Sequence, residues 1–304
     1  MRFDAVIFDI DNVLIDTRAS YTDCIRKTVE TYLEKILTFQ PSRSPLITRR
    51  DVEIFKSLGG FNDDWDTCYG LLLYFLSLKI GKRSISELAK QKDIPRLIQK
   101  IKQNILPPSY PPPKMGGGIR WGVIGVDGLE RICGKQKSVS LKQIADIFQR
   151  FYLNDFVWNE KLMISKSLLK QLKRAGLKLG IVTGRSRDEA GFALRRFQID
   201  SFFSAVVTAD DTPNHFKKPH PYGLLKVAAK LGKNLRYLYV GDLPDDILAA
   251  RSAKKKMKIA SCGFLAASSS PREMKQGLKK SKADYICEQP NELIKIILPT
   301  GRSI

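Results

Sequence analysis

Four short polar islands lie in a fixed order along the chain: Asp9-Ile10-Asp11-Asn12-Val13 behind an apolar run, Val182-Thr183-Gly184-Arg185, Lys218-Pro219, and Gly241-Asp242-Leu243-Pro244-Asp245-Asp246. Each stands at or just beyond the end of a segment that reads as a buried strand. Together they offer two carboxylates, a hydroxyl, an ammonium and a second acidic pair. That set fits a magnesium-assisted phosphoryl transfer, since oxygen ligands suit that small hard ion. Open parallel sheets bind ligands beyond the carboxyl ends of their strands, so four motifs at strand ends converge on one site.

The elements that must position these residues follow from the hydrophobic pattern. Residues 3–8 read as a first buried strand running straight into the Asp9 motif. A long helix is predicted over 20–37, with Tyr21, Ile25, Val29, Tyr32, Leu33 and Ile36 near one face. Shorter helical stretches are expected at 50–57, 65–78, 86–91 and 95–105. A proline run at 107–113 followed by Gly116-Gly117-Gly118 then interrupts any regular element.

From residue 162 the pattern changes to alternation: helix 162–175, strand 179–183, helix 187–197, strand 205–208, helix 221–231, strand 237–240, helix 245–255, strand 258–262 and a last strand at 283–287. Strands interleaved with helices of this length imply right-handed crossovers and a parallel sheet covered on both faces. The fold class expected is therefore α/β, a Rossmann-like three-layer core. Residues 1–18 and 159–304 form that core, and 19–158 form an inserted, mostly helical second domain.

Composition narrows the class. A chain of 304 residues with 43% hydrophobic content supports a sizeable core. No run of about 18 apolar residues occurs, so no membrane span is expected. The amino terminus passes at once into charge, too short and too acidic for a signal peptide, and a cytoplasmic protein is expected. Five dispersed cysteines, Cys24, Cys68, Cys133, Cys262 and Cys287, lack paired metal-ligand spacing and read as free thiols. The net charge of +21, from 52 Lys and Arg against 31 Asp and Glu, draws anions. Its densest cluster, Lys254-Lys255-Lys256 with Lys258, reads first as a solvated helix end. No aromatic interleaving of the kind used for base stacking accompanies it.

The ordered motifs resemble the haloacid dehalogenase superfamily of phosphohydrolases over the whole chain apart from the inserted block. That family's pattern of Asp-x-Asp-x-(Thr/Val), then Ser or Thr, then Lys, then Gly-Asp-x-x-x-Asp is filled here by Asp9, Asp11, Val13, Thr183, Lys218, Asp242 and Asp246. The resemblance implies that Asp9 attacks phosphorus to form an aspartyl-phosphate, and that Asp11 acts as general acid and then base. It further implies that Mg2+ is held by Asp9, the Asp11 carbonyl, Asp242 and Asp246. Lys218 would neutralise phosphate charge, and Thr183 with nearby amides would hold phosphate oxygens. Relatives that cleave carbon–halogen or carbon–phosphorus bonds usually lack the second Asp, so Asp11 favours phosphate ester chemistry.

An insertion between the first and second motifs is similar to the helical C1 cap of the subgroup that includes phosphoglycolate phosphatases and β-phosphoglucomutases, here enlarged. Caps of this kind exclude water and read the leaving group. Lys56 and Asn62, in a stretch with a glycine pair, are candidates for that reading, as are Arg18, Gly184 and Arg185 for substrate binding. The expectation is a phosphatase acting on a small phosphorylated metabolite. Rivals are a phosphomutase, a nucleic-acid end phosphatase prompted by the +21 charge, and a non-catalytic polyanion-binding protein.

Overall fold

Side chains of the first strand bury on both of its faces, and that dictates the layers around it. In β1 (Ala5–Phe8) all four residues are buried. Val6 and Phe8 join one apolar cluster, Ala5 and Ile7 another, as the period-two geometry of a strand requires. The computed structural model describes residues 3–58, 61, 63–105 and 125–298. Two compact units make up the chain, Met1–Thr17 with Glu160–Ile304, and Arg18–Asn159.

In the first unit the further strands are β2 (Ile15–Asp16), β3 (Lys161–Leu162), β4 (Lys178–Val182), β5 (Ala205–Val207), β6 (Tyr237–Gly241), β7 (Ile259–Phe264) and β8 (Tyr285–Cys287). Six of them form one parallel sheet in the order β5-β4-β1-β6-β7-β8. The chain steps outward from β1 to β4 and β5, then returns to β6 on the other side of β1. Loops leaving the carboxyl ends of β1 and β6 therefore diverge, which opens the crevice where such sheets take their ligands.

Local chemistry places the flanking helices. The helix Lys166–Arg174 starts at Ser165, whose side chain accepts the Leu168 N–H. Reciprocal bonds between Ser186 and Glu189 start the helix Arg187–Arg196 immediately after the Thr183 motif. Helices Tyr222–Leu231 and Pro244–Ala253 cover the Ala5 and Ile7 face, packing Leu224, Val227 and Ala250 against Tyr237 and Tyr239.

Residues 161 and 162 differ from expectation. They lie in β3, paired antiparallel with β2, and the helix predicted to begin at 162 begins at 166. A ladder of two residues is too short to register as a period, and the Ser165 cap sets the helix start. The helix predicted over 20–37 is a continuous helical run, Arg18–Thr22, Asp23–Thr31 and Tyr32–Ile36, with π-wound turns at both ends.

The second unit is helical in its described residues. Its core gathers Tyr32, Phe55, Phe61, Phe75, Phe148 and Tyr152. The Tyr32 hydroxyl is satisfied inside it, lying 3.1 Å from the Ser138 carbonyl and accepting the Ser140 N–H at 2.9 Å. Helices Gly125–Cys133 and Leu141–Asn154 were not expected from the sequence. The proline- and glycine-rich segment at 107–118 lies outside the described residues. Among those described, no helix is long and apolar enough to cross a membrane. All five cysteines are free.

Gly180, in the middle of β4, has no room for a side chain: a Cβ there would meet Val227 Cγ1 at 2.6 Å. Gly180→Ala is expected to lower unfolding free energy by about 1–3 kcal/mol, the usual range for overpacking. Urea denaturation monitored by fluorescence checks this, and an unchanged midpoint would contradict it.

Candidate active site

Asp9 is the first residue past β1, and its N–H extends the ladder by donating to the Val240 carbonyl at 2.9 Å. Its side chain is fixed from two directions. The Ile10 N–H donates to Oδ1 at 2.8 Å and the Lys218 ammonium donates to Oδ2 at 2.7 Å. The residue is 5% exposed. Burial, with Asp246 and Asp11 adding to it against the opposing pull of Lys218, pushes its carboxyl up to about 7.

Lys218 arrives from the connection between β5 and the helix Tyr222–Leu231, just before a cis Lys218–Pro219 bond. Besides Asp9, it donates to Asp246 Oδ1 at 2.8 Å. Although burial opposes its charge, the Asp246 and Asp9 carboxylates hold its pKa well above the usual lysine range. Asp246 is wholly buried in the first turn of Pro244–Ala253. It also accepts from the Tyr239 hydroxyl at 2.7 Å and from the Leu243 N–H at 3.0 Å. Gly241 makes that approach possible, because a Cβ at this position would fall 2.3 Å from Asp246 Cβ.

Asp242 directly follows β6 and accepts from the Asn12 amide at 3.2 Å. Burial is the main cause that raises its pKa well above the usual carboxylate range. Asn12 sits at φ 56°, a left-handed conformation that asparagine tolerates better than most residues. Its side-chain Oδ1 accepts the Thr17 hydroxyl at 3.1 Å.

One oxygen from each of Asp9, Asp242 and Asp246 lies within 4.8 Å of the others. Three carboxylates with no nitrogen or sulfur donor among them suit a hard divalent cation. The raised pKa values of Asp9 and Asp242 mark a site where burial works against negative charge, as fits a place that takes a cation. The donor set therefore fits magnesium.

Asp11 turns elsewhere. Its Oδ1 accepts from Arg185 Nε at 3.0 Å and Nη2 at 2.8 Å, and Arg185 also binds the buried Glu160 at 2.7 Å. Thr183, the first residue past β4, is buried and accepts the Arg185 N–H through Oγ1 at 3.1 Å. Gly184 is exposed, with open space where a side chain would be.

The structure thus gathers Asp9, Asp11, Thr183, Asp242 and Asp246 beyond the carboxyl ends of β1, β4 and β6, with Lys218 reaching in from the connection after β5. Arg185 is nearby, but its guanidinium is spent on two carboxylates. Arg18 and Lys56 belong to the second unit, where Lys56 is paired with Asp64 at 2.6 Å. Asn62 lies outside the described residues.

Sequence reasoning missed Tyr239, Asn12 and Glu160. Tyr239 carries a usable signal, a phenol in a fully buried strand whose hydroxyl needs a partner. Glu160 carries none.

Residues 3–254 match the family described as haloacid dehalogenase-like hydrolase. Over 171 residues the chain is 34% identical to a provisionally assigned pyrophosphatase, PpaX, of Caldanaerobacter subterraneus subsp. tengcongensis, a match covering 56% of this chain and 71% of that protein. It is 34% identical over 136 residues to the pyrophosphatase PpaX of Bacillus cereus, covering 44% of this chain and 58% of that one. Phosphatase Tt82 of Thermococcus thioreducens superposes with a TM-score of 0.55 at 23% identity, over 84% of this chain and 90% of that one. A provisionally assigned phosphoglycolate phosphatase of Lactobacillus delbrueckii subsp. bulgaricus superposes with a TM-score of 0.62 at 16% identity, over 98% and 100%. At those identities the structural likeness is one of fold.

The acid cluster makes stability depend on pH. Because Asp9 is raised to about 7 in the folded protein, it keeps its proton there across a window in which the unfolded chain has lost it. Stability contributed this way is present at low pH and lost as pH rises from about 4 to about 7, at about 1.4 kcal/mol per pH unit for one group. Asp242 is shifted in the same direction. Metal-free protein is expected to show a falling Tm across that window, with magnesium restoring it at the upper end. A magnesium-independent Tm near pH 8 would contradict this.

Proposed function

The chain belongs to the haloacid dehalogenase-like hydrolase family, and we propose that it is a magnesium-dependent phosphatase that hydrolyses a small phosphorylated metabolite through a covalent phosphoryl group on Asp9. The observation that carries this is the buried carboxylate of Asp9, 2.7 Å from the Lys218 ammonium and grouped with Asp242 and Asp246. A nucleophile held in one orientation, with a fixed cation beside it, is prepared for charge arriving on phosphoryl oxygens.

Asp9 attacks phosphorus and the ester oxygen departs, taking a proton from Asp11. Water then attacks the aspartyl-phosphate, giving its proton to Asp11 and releasing inorganic phosphate with Asp9 regenerated. Lys218 offsets charge on the transferring group while keeping Asp9 in place. Thr183 accepts the Arg185 N–H, so its own hydroxyl proton is available for a phosphoryl oxygen. Asp9, Asp242 and Asp246, with the Asp11 carbonyl, would hold magnesium, and the ion would supply positive charge against the phosphoryl oxygens.

A second reading, hydrolysis of pyrophosphate, is favoured by the 34% identity to PpaX. Both are tested by inorganic phosphate release from pyrophosphate, phosphoglycolate, sugar phosphates, an amino-alcohol phosphate and a 5′-phosphorylated oligonucleotide, with and without magnesium. Magnesium-dependent turnover of at least one compound is expected, falling to background in Asp9→Asn. Full activity in Asp9→Asn, or none in the folded wild type, would overturn the proposal.

A further inference from the structure

Arg185 has an unusual position for a cation beside an anion-binding site: its side chain is 1% exposed and points at protein carboxylates. Its backbone is pinned on both sides, the N–H donating to Thr183 Oγ1 at 3.1 Å and the carbonyl accepting the Ala209 N–H at 2.9 Å. One edge of the guanidinium meets Glu160, with Nη2 to Oε1 at 2.7 Å and Nη1 to Oε2 at 3.4 Å. The other edge meets Asp11. Glu160 is itself fully buried and stands directly before β3, whose pairing with β2 fixes it relative to the loop that carries Asp11.

The geometry of the Asp11 contact is one-sided. Nε and Nη2 both donate to Oδ1, and the Asp11 side chain is 31% exposed while Arg185 and Glu160 are sealed. Two donors converging on Oδ1 anchor that oxygen at the buried guanidinium, which leaves Oδ2 as the oxygen on the exposed side of the carboxylate. The Glu160 carboxylate offsets the guanidinium charge, so the contact restrains Asp11 without leaving an unbalanced cation next to it. A buried arginine fork between two carboxylates, held by its own backbone, is a means of orienting one of them.

Resting on the phosphatase reading above, we propose that Arg185, braced by Glu160, is the positioning residue for Asp11, directing Oδ2 to protonate the departing oxygen. Proton donation matters in proportion to how basic the leaving group is. A nitrophenolate departs without a proton, whereas a more basic phenolate needs one. Loss of a merely structural residue would slow every substrate alike.

The test compares kcat/KM, which reports phosphoryl transfer to Asp9, for 4-nitrophenyl, phenyl and 4-methoxyphenyl phosphates. Wild type, Asp11→Asn, Arg185→Gln, Glu160→Gln and the double variant R185Q/E160Q are measured together. The double variant removes both buried charges, since a lone Glu160 in the interior is destabilising and Arg185→Gln by itself carries a folding risk.

The expected result is that Arg185→Gln and the double variant lose about 100-fold on the phenyl and methoxyphenyl esters, the low end for general acid catalysis, and about threefold or less on the nitrophenyl ester. Asp11→Asn gives the same pattern, and Glu160→Gln a smaller version of it. Equal losses on all three esters in both Arg185 variants, with Asp11→Asn still discriminating, would overturn the positioning role and leave the phosphatase standing. No turnover by wild type of these esters or of any compound in the metabolite panel would remove the reading beneath it.

Discussion

Like charges in a buried place are the constraint on which this structure turns. The carboxylates of Asp9, Asp242 and Asp246 offer oxygens within 4.8 Å of one another, a separation at which each ionised pair repels by about 3–4 kcal/mol at an effective dielectric of about 20. Lys218 answers part of this by standing between Asp9 and Asp246. Tyr239 and the Leu243 N–H answer more of it at Asp246. Burial, with the repulsion left uncompensated adding to it, raises the pKa values of Asp9 and Asp242, and a divalent cation is the species that would offset both.

The sheet exists, from this point of view, to hold that concentration of charge. Parallel pairing of β1 with β4 and β6 brings three strand ends side by side, with Phe8 opposite Ile181 and Val240, so the loops at Asp9, Thr183 and Asp242 begin within a residue of the same level. Burial of both sheet faces leaves the strands little freedom to shift. Gly180 lets the helix Tyr222–Leu231 come close to the sheet. Gly241 lets Asp246 fold back over the end of its own strand. Neither glycine takes part in chemistry, and both set distances that the chemistry depends on.

Much of this was legible from residue order because three of the four motifs follow their strands without a gap; Lys218, expected at a strand end, instead stands beyond two short helical turns after β5. Apolar runs ending in Asp9, Thr183 and Asp242 mark both the strand and its functional end, and β1, β4 and β6 lie within a residue or two of the expected spans. Other features left weaker traces. β2 and β3 are two residues each, too brief for any periodicity, yet their pairing sets where Glu160 sits. Arg185 reads in sequence as a basic residue at an anion site, and nothing local reveals that it faces Asp11, 174 positions away. The helix Leu141–Asn154 does carry a face, Ile144, Phe148 and Tyr152 at four-residue spacing, that would have disclosed it.

The central claim is that the phosphoryl group passes through the Asp9 carboxylate. Its most direct test is to quench the magnesium-loaded enzyme in acid during turnover of its best substrate, reduce with borohydride and map the modified residue by mass spectrometry. Conversion of Asp9 to homoserine, absent without substrate, is the predicted result. Turnover under the same conditions with Asp9 unmodified, or with the modification at another carboxylate, would contradict it.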